Sequence, residues 1–311
     1  MKKWLFRLFL VGFMGLNLLA ALQGYSFTHF SHTPAEKPDP NALSFLEKFE
    51  LLFKGIPNPR PKNKQSPQIP YEVVTIPSGE EVLEAWYIPS PQNLGEVLLF
   101  HGYGSEKSAM LDRAKPILEM GFNTLLVDFR GSGGSTGNTT TIGYYEGQDV
   151  KASVEYLQDQ GKNHIYLFGT SMGAAAIMKA LSDDSLAVSG IILECPFGSL
   201  MQATKNRFEI MGVPTFPAAN LLVFWGGVVN GFWGFAHDPI AYSKAIALPC
   251  LIIYGEKDKR VKPEEIHRIF ENVKGPKRLV LFPEAGHVDY LYVDGEKWKT
   301  EVNLFLLGHS H

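Results

Sequence analysis

Short apolar runs alternate with helical patterns through most of the chain. The first two runs, at residues 71–76 and 82–88, alternate apolar and polar positions, which is typical of a half-exposed antiparallel pair. The later runs are continuously apolar, as expected of parallel strands covered by helices on both faces. The eight candidate strands are residues 71–76, 82–88, 97–100, 123–127, 165–168, 191–193, 251–254 and 279–282.

Helical patterns separate these candidate strands. They cover residues 107–119, 144–159, 172–181, 263–272 and 297–307. The alternation predicts one α/β domain over residues 71–311 with a mostly parallel, eight-stranded sheet and helices on both faces. In such a sheet the chemistry lies at the C-terminal ends of the strands. Residues 199–239 interrupt the alternation between the sixth and seventh strands and form an insertion.

The N-terminal segment, residues 1–25, has the pattern of a membrane-directing sequence. Lys2, Lys3 and Arg7 precede the apolar run, and no acidic residue occurs before Glu36. The charge-free run covers residues 8–22; counted from Trp4, with Arg7 able to snorkel, the apolar stretch has about 19 residues, close to the roughly 20 that span a bilayer. This length favours an uncleaved anchor, whereas the charge-free part alone is nearer to a cleaved signal peptide. With either interpretation the basic residues place the body on the non-cytoplasmic side, anchored there or secreted.

A proline-rich segment, residues 26–70, links the N-terminal segment to the predicted α/β domain. Within it, residues 41–54 form an amphipathic stretch with Leu43, Leu46, Phe49 and Phe53 on one helical face. We therefore expect a stalk that carries one amphipathic helix, which packs on the body or lies on the bilayer.

Composition excludes several classes of protein. With 29 basic and 32 acidic residues the net charge is −3, and 45% of the residues are hydrophobic. The chain is therefore neither disordered nor a polybasic nucleic-acid binder. The two cysteines, Cys195 and Cys250, are too few for a disulfide framework and lack metal-ligand spacing. No metal or organic cofactor is implied.

The fifth candidate strand is followed by a nucleophile-elbow pattern. Residues 169–173 read Gly-Thr-Ser-Met-Gly and lie between a strand and a helix-prone alanine run. A strand-to-helix turn this tight requires small residues on either side of the serine and exposes its hydroxyl above the sheet. Ser171 is therefore the predicted nucleophile.

A serine nucleophile needs a base and an orienting carboxylate at later strand ends. Asp258 lies in the turn after the seventh candidate strand, and His287 lies in the loop after the eighth. Glu256 is a rival acid, but it lies closer to its strand. The predicted triad is Ser171, Asp258 and His287, in the chain order Ser, Asp, His.

Two backbone N–H groups are expected to stabilise the oxyanion of the transition state. One belongs to Met172, directly after the predicted nucleophile. The other is assigned to Tyr103 in the sequence His-Gly-Tyr-Gly-Ser at residues 101–105, which follows the third candidate strand. His101 is interpreted as a structural part of that turn rather than as a catalytic base.

Taken together, these motifs resemble the α/β-hydrolase superfamily. The segments 101–105, 128–135, 169–173, 254–261 and 284–287 occur in the superfamily's order, and the set looks like its Bem46-like branch, which borders the prolyl-oligopeptidase-type peptidases. The resemblance implies the α/β-hydrolase fold and a small lid at the 199–239 insertion. It also implies a serine hydrolase, because the predicted nucleophile is Ser171, whereas the superfamily's dehalogenases and epoxide hydrolases have an Asp nucleophile.

The expected reaction is hydrolysis of carboxylic esters or thioesters through an acyl-enzyme. The insertion is rich in aromatic residues, which favours a small, hydrophobic acyl substrate, although the same residues could simply pack the lid. One alternative is a serine peptidase of the prolyl-oligopeptidase type that cleaves small peptides. Another is a non-catalytic binding protein that retains the fold.

Overall fold

A computed structural model describes residues 2–31, 55 and 57–308 and contains one eight-stranded sheet. All eight predicted strands are present, most of them extended by one or two residues. In chain order they are β1 (Glu72–Ser78), β2 (Glu81–Ile88), β3 (Glu96–Phe100), β4 (Asn123–Val127), β5 (Ile165–Thr170), β6 (Gly190–Glu194), β7 (Cys250–Gly255) and β8 (Lys277–Phe282).

Helices follow most of the strands. In the described part of the chain the α-helices are α1 (Lys2–Thr28), α2 (Leu111–Glu119), α3 (Glu146–Asp159), α4 (Met172–Asp183), α5 (Leu200–Ile210), α6 (Ala218–Val229), α7 (Pro239–Tyr242), α8 (Pro263–Asn272), α9 (Tyr290–Val293) and α10 (Gly295–Leu307). The helix predicted over residues 107–119 is a short 3₁₀ turn, Lys107–Met110, that continues into α2. The predicted helix over residues 41–54 lies outside the described residues.

The strand order in the sheet is β1-β2-β4-β3-β5-β6-β7-β8. Strand β2 pairs antiparallel with β1 and β4, and the pairs from β3 to β8 are parallel. Every residue of β3, β4, β6 and β7 is buried, because helices cover both faces of the parallel part. The predicted α/β architecture is confirmed. It brings the C-terminal ends of β5, β6, β7 and β8 to one edge of the sheet.

The chain divides into two compact units. The sheet unit comprises residues 60–199 and 238–311, and the helical unit comprises residues 1–59 and 200–237. The sheet unit thus includes residues 60–70 together with residues of the predicted domain. Hydrogen bonds explain this boundary: the Arg60 guanidinium donates to the backbone oxygens of Ser135 and Gly137, and Asn63 Nδ2 donates to Asp128 Oδ2 over 3.0 Å.

The helical unit pairs the N-terminal helix with the insertion between β6 and β7. Helix α1 runs without interruption to Thr28, past the end of the predicted segment, and packs along α6. Among the described residues it is the single helix long and apolar enough to cross a membrane. The insertion, residues 200–237, is thus a structural partner of the N-terminal segment within this unit.

Candidate active site

Ser171 occupies a strained turn between β5 and α4. Its φ and ψ angles are 53° and −107°, a conformation that non-glycine residues rarely adopt. A Cβ added to Gly169 would lie 2.5 Å from the carbonyl carbon of Gly173, and one added to Gly173 would lie 2.3 Å from the Phe100 carbonyl oxygen. The two glycines are therefore required by space, and the turn holds the serine hydroxyl at the end of the strand, as the sequence pattern predicts.

The structure brings the three predicted triad residues together. His287 Nε2 lies 3.2 Å from Ser171 Oγ, and His287 Nδ1 lies 2.7 Å from Asp258 Oδ2. The Asp258 side chain has no exposed surface, and the His287 side chain is 14% exposed. A carboxylate accepting from Nδ1–H leaves Nε2 unprotonated in the neutral imidazole, free to accept the serine proton.

Asp258, not Glu256, faces the histidine. Its second oxygen, Oδ1, accepts hydrogen bonds from the backbone N–H groups of Arg260 and Val261, at 2.7 and 3.1 Å. These bonds hold the carboxylate in one orientation, whereas the rival Glu256 is exposed. Asp258 therefore has the position and hydrogen bonds of an orienting acid.

Cys195 also lies beside the histidine, and the sequence interpretation assigned it no role in the site. It follows β6 directly, has a φ of 41°, is buried, and places its Sγ 3.9 Å from His287 Nε2. Burial by itself lowers the pKa of the His287 imidazole. The Cys195 sulfur and the Asp258 carboxylate outweigh this effect, so the pKa of His287 lies above its usual value. In the sequence, the signal that could have identified Cys195 as a site residue was its position at the end of the strand next to β5.

The loop after β3 lies against the serine. A Cβ placed on Gly102 would be 3.8 Å from Ser171 Cβ and 3.5 Å from the Thr170 carbonyl oxygen, so the backbone that leads into Tyr103 passes close to the nucleophile. Met172 begins α4 directly after Ser171. The two predicted oxyanion donors therefore belong to segments adjacent to Ser171.

His101 is fully buried and bridges two loops. Its Nδ1 lies 2.9 Å from the Gly102 oxygen, and its Nε2 accepts from the backbone N–H of Phe129 over 3.1 Å. Burial lowers the pKa of His101, which keeps the ring neutral, with the proton on Nδ1. These bonds support the interpretation of His101 as part of the turn.

The motif at residues 128–135 supports the same loop. Asp128 Oδ1 accepts from the backbone N–H of Lys107 at 2.7 Å, and its Oδ2 accepts from Gly134 N–H at 2.9 Å. The Lys107 ammonium, fully buried, pairs with Asp128 and also with Glu84 at 2.6 Å. Burial raises the pKa of the Asp128 carboxyl, but the ammonium outweighs it and lowers that pKa. The ionic cluster therefore holds the β3 and β4 loops together.

A second buried ionic cluster joins the strand ends that bear the triad. Glu194, the last residue of β6, has no exposed side-chain surface; its Oε2 accepts from Arg113 Nε at 2.8 Å and from Thr170 Oγ1 at 3.0 Å. Its Oε1 accepts from Trp298 Nε1 at 2.7 Å, and Arg113 Nη1 donates to Asp289 Oδ2 at 2.7 Å. Thr170 precedes the serine and Asp289 follows the histidine by two positions, so this Glu194 cluster connects the two loops.

The backbone adds to this connection. The Ser171 N–H donates to the Glu194 carbonyl oxygen over 2.8 Å, and Cys195 N–H donates to the Ile253 oxygen of β7 over 2.9 Å. The Glu194 main chain thus binds Ser171 directly, and the Glu194 side chain binds the neighbouring Thr170.

Comparisons with known proteins agree with this architecture. Residues 91–221 match a family described as "Serine aminopeptidase, S33", a segment that includes Ser171 but ends before Asp258 and His287. The esterase Pf2001 of Pyrococcus furiosus superposes with a TM-score of 0.69 at 27% identity, over 81% of this chain and 97% of that one. The protein Bem46 of Schizosaccharomyces pombe is 26% identical over 82% of this chain and 85% of its own length.

The chain is an α/β-hydrolase by fold and is similar to Bem46. It is also 25% identical to the uncharacterized protein YqkD of Bacillus subtilis, over 72% of this chain and 75% of that protein. The resemblance seen in the motifs is therefore confirmed, and the family and its esterase neighbours identify this α/β-hydrolase as a serine hydrolase.

Proposed function

We propose that this α/β-hydrolase is a carboxylic ester hydrolase that works through a Ser171-His287-Asp258 triad. The observation that carries the proposal is the continuous hydrogen-bonded chain from Asp258 Oδ2 through His287 to Ser171 Oγ. This arrangement of nucleophile, base and orienting acid is the one that acyl transfer requires. Similarity to the esterase Pf2001 supports an ester rather than an amide substrate.

In the proposed reaction, Ser171 Oγ attacks the acyl carbon while His287 Nε2 takes the hydroxyl proton. Asp258 stabilises the imidazolium that forms. The backbone N–H groups of Tyr103 and Met172 donate to the oxyanion of the tetrahedral intermediate. His287 then protonates the leaving alcohol or thiol, the acyl-enzyme remains, and a water molecule activated by His287 attacks it to release the acid and restore Ser171.

The proposed substrate is an ester or thioester of a moderately hydrophobic acid. Support comes from the insertion, which is rich in aromatic residues and carries few charged groups; Lys205 and Arg207 are its basic residues. An anionic group such as phosphate is normally bound by clustered cations, and this segment offers no such cluster in its sequence. Apolar acyl chains suit the composition better.

We further propose that α1 anchors the enzyme in a membrane, with the sheet unit on the non-cytoplasmic side. Lys2, Lys3 and Arg7 precede the apolar run, as the positive-inside rule requires for this orientation. Gly24 lies buried against Gly226 within the helical unit, which supports retention of the segment over secretion after cleavage.

A p-nitrophenyl ester series from acetate to palmitate tests the activity. Wild type, Ser171→Ala and the control Ser66→Ala, at an exposed serine, are compared, and each is also treated with a fluorophosphonate. We expect turnover and labelling in wild type and Ser66→Ala, and a loss of about 10⁴-fold or more in Ser171→Ala. Retention of more than about a hundredth of the activity in Ser171→Ala would overturn the assignment.

A serine peptidase is the second candidate, and the description of the matching family as a serine aminopeptidase favours it. The same triad would then transfer the acyl group of an amide. Aminoacyl p-nitroanilides and small peptides, assayed beside the esters, separate the two candidates. Fluorophosphonate labelling of Ser171 with cleavage of amides and no cleavage of esters would replace the esterase proposal with the peptidase.

A further inference from the structure

The insertion between β6 and β7 exposes an unusual amount of apolar surface within the helical unit. Between Ile210 and Ala236 the sequence contains no Asp, Glu, Lys, Arg or His. Phe216 is 79% exposed and Trp233 is 57% exposed. Contiguous exposed apolar surface rimmed by polar residues is typical of a site that meets a membrane or another protein. The exposed large apolar residues of the segment, named here the insertion face, are Ile210, Met211, Val213, Phe216, Val228, Val229 and Trp233.

The second half of α1 packs closely against α6 of this insertion. A Cβ on Gly24 would lie 2.9 Å from the backbone nitrogen of Gly226, so the two helices approach through small residues. Such a contact is typical of helix pairs in a bilayer, where close van der Waals packing drives association. The helix that carries Val228 and Val229 of the insertion face is therefore packed on the helix that is proposed to enter the membrane.

Three polar side chains of the pair, Asn17, Trp225 and Asn230, form hydrogen bonds within it. Trp225 Nε1 donates to Asn17 Oδ1 over 3.0 Å, and Asn17 Nδ2 donates to the Phe13 oxygen over 2.9 Å. Asn230 Nδ2 likewise donates to the Gly226 oxygen over 2.8 Å. Each of these groups has a partner inside the helical unit, as a hydrocarbon surrounding requires.

The length of the exposed part of α1 determines how deep in the bilayer the α1–α6 pair must lie. Residues 3–16 are exposed, whereas from Asn17 onward most residues of α1 are partly or fully buried in the helical unit, with Leu18, Leu22 and Tyr25 still exposed. At 1.5 Å per residue the exposed part is roughly 21 Å long. The hydrocarbon core is about 30 Å thick, so roughly a further 9 Å of α1 has to lie in hydrocarbon if the helix spans it. That further part carries Asn17 and the packed α6.

We propose that the insertion face is embedded in the lipid bilayer together with the second half of α1. The occupant of the face is lipid acyl chains. The inference rests on the proposed anchoring by α1 and does not depend on the chemistry at Ser171. The insertion thereby becomes a membrane-inserted element and not simply a soluble lid.

Site-directed spin labels on the full chain test this in phosphatidylcholine and phosphatidylglycerol vesicles. The labels are attached at Val228→Cys and Phe216→Cys, with Met14→Cys in the exposed half of α1 as the anchor control and Glu256→Cys in the sheet unit as the aqueous control. Cys195 and Cys250 are buried and remain in place; the chain without an introduced cysteine gives the background. Molecular oxygen, which partitions into hydrocarbon, and a water-soluble nickel chelate serve as relaxation agents. A thermal melt of each variant verifies folding.

We expect the ratio of oxygen to nickel accessibility at Val228, Phe216 and Met14 to exceed that at Glu256 several-fold. A lipid-like ratio at Met14 with a water-like ratio at Val228 and Phe216 would overturn the insertion proposal and leave the anchor intact. A water-like ratio at Met14 would overturn both the anchoring by α1 and the insertion of the face. Ester turnover by the same samples is scored separately, so failure of the esterase proposal is distinguishable from either result.

Discussion

At the scale of single residues, the two glycines of the elbow and the cysteine beside the histidine have the most specific roles. Gly173 lies so close to the Phe100 and His101 carbonyl oxygens that even one added carbon displaces backbone. Cys195 places a sulfur at the same imidazole nitrogen that faces Ser171. Gly173 therefore determines the shape of the site, and Cys195 affects its electrostatics.

Replacing Gly173 by alanine should abolish esterase activity and lower the melting temperature, because the new Cβ would lie 2.3 Å from the Phe100 oxygen. Overpacking of this kind typically costs about 1–3 kcal/mol of unfolding free energy. Gly295→Ala is the matched control, since its nearest neighbour is the Leu291 Cδ1 at 3.8 Å. Thermal melts and turnover of both variants check the expectation; equal behaviour would contradict it.

Cys195→Ala should shift the acid limb of the pH profile of kcat/KM to lower pH. His287 acts as a base when neutral, so a raised pKa places that limb above the usual imidazole value, and removing the sulfur that raises it moves the limb down. We expect a displacement of at least about one pH unit toward about 6.5. Cys250→Ala, at the other buried cysteine, should leave the limb unchanged. Identical limbs in wild type and both variants would show that the sulfur has no such effect.

At the scale of elements, the C-terminal end of β6 organises the site. Glu194 bonds to Thr170 on β5, to Arg113 on α2 and to Trp298 on α10, while Arg113 reaches Asp289 beside the histidine loop. Three elements, β5, α2 and α10, are thereby tied to one buried carboxylate of β6. If Glu194 loses its charge, Asp289 is the one carboxylate of this cluster that still pairs with Arg113.

Glu194→Gln should destabilise the sheet unit and lower kcat with a smaller change in KM, because the loops that bear Ser171 and His287 lose their common support. Breaking a buried ion pair typically costs about 3–5 kcal/mol. Asp184→Asn, which breaks the exposed pair with Lys151, is the control and should change the melting temperature little. Melting curves and steady-state kinetics provide both readouts. A Glu194→Gln enzyme with wild-type stability and kcat would refute the role of this cluster.

At the scale of the whole molecule, the chain combines an α/β sheet unit with a helical unit built on an apolar N-terminal helix. The helical unit holds α1 and the insertion together through Gly24, Gly226, Asn17 and Trp225. The proposed localisation follows from this unit rather than from the catalytic residues.

The full chain should remain with membranes through a high-salt wash and be released by detergent. Arginine at Leu10, 44% exposed on α1, should weaken this retention, because arginine at the centre of a membrane helix costs about 2.5–3.5 kcal/mol. Leu304→Arg, at an exposed leucine of α10, should leave it unchanged. Immunoblots of soluble and membrane fractions measure the distribution. Equal retention of both variants would argue against α1 as the anchor.

Much of the sheet unit was predictable because its signals are local. Continuous apolar runs identify buried parallel strands, and the Gly-Thr-Ser-Met-Gly turn at 169–173 identifies the elbow through steric demands on neighbouring residues. Since the polypeptide places each strand end at the same edge, the order of Ser171, Asp258 and His287 was enough to predict that they meet. The strands extend one or two residues beyond the apolar runs, because polar residues such as Glu96, Thr170 and Glu194 also pair in the ladder.

The sequence by itself determined the α/β class, the eight strands, the predicted nucleophile and its partners, and the apolar N-terminal helix. The tertiary structure decided that Cys195 faces His287, that Glu194 ties four elements together, and that α1 shares a unit with residues 200–237. These features depend on side chains far apart in the chain. Their contacts arise when helices and strand ends pack, and neither periodicity nor a short motif encodes which distant side chain each one meets.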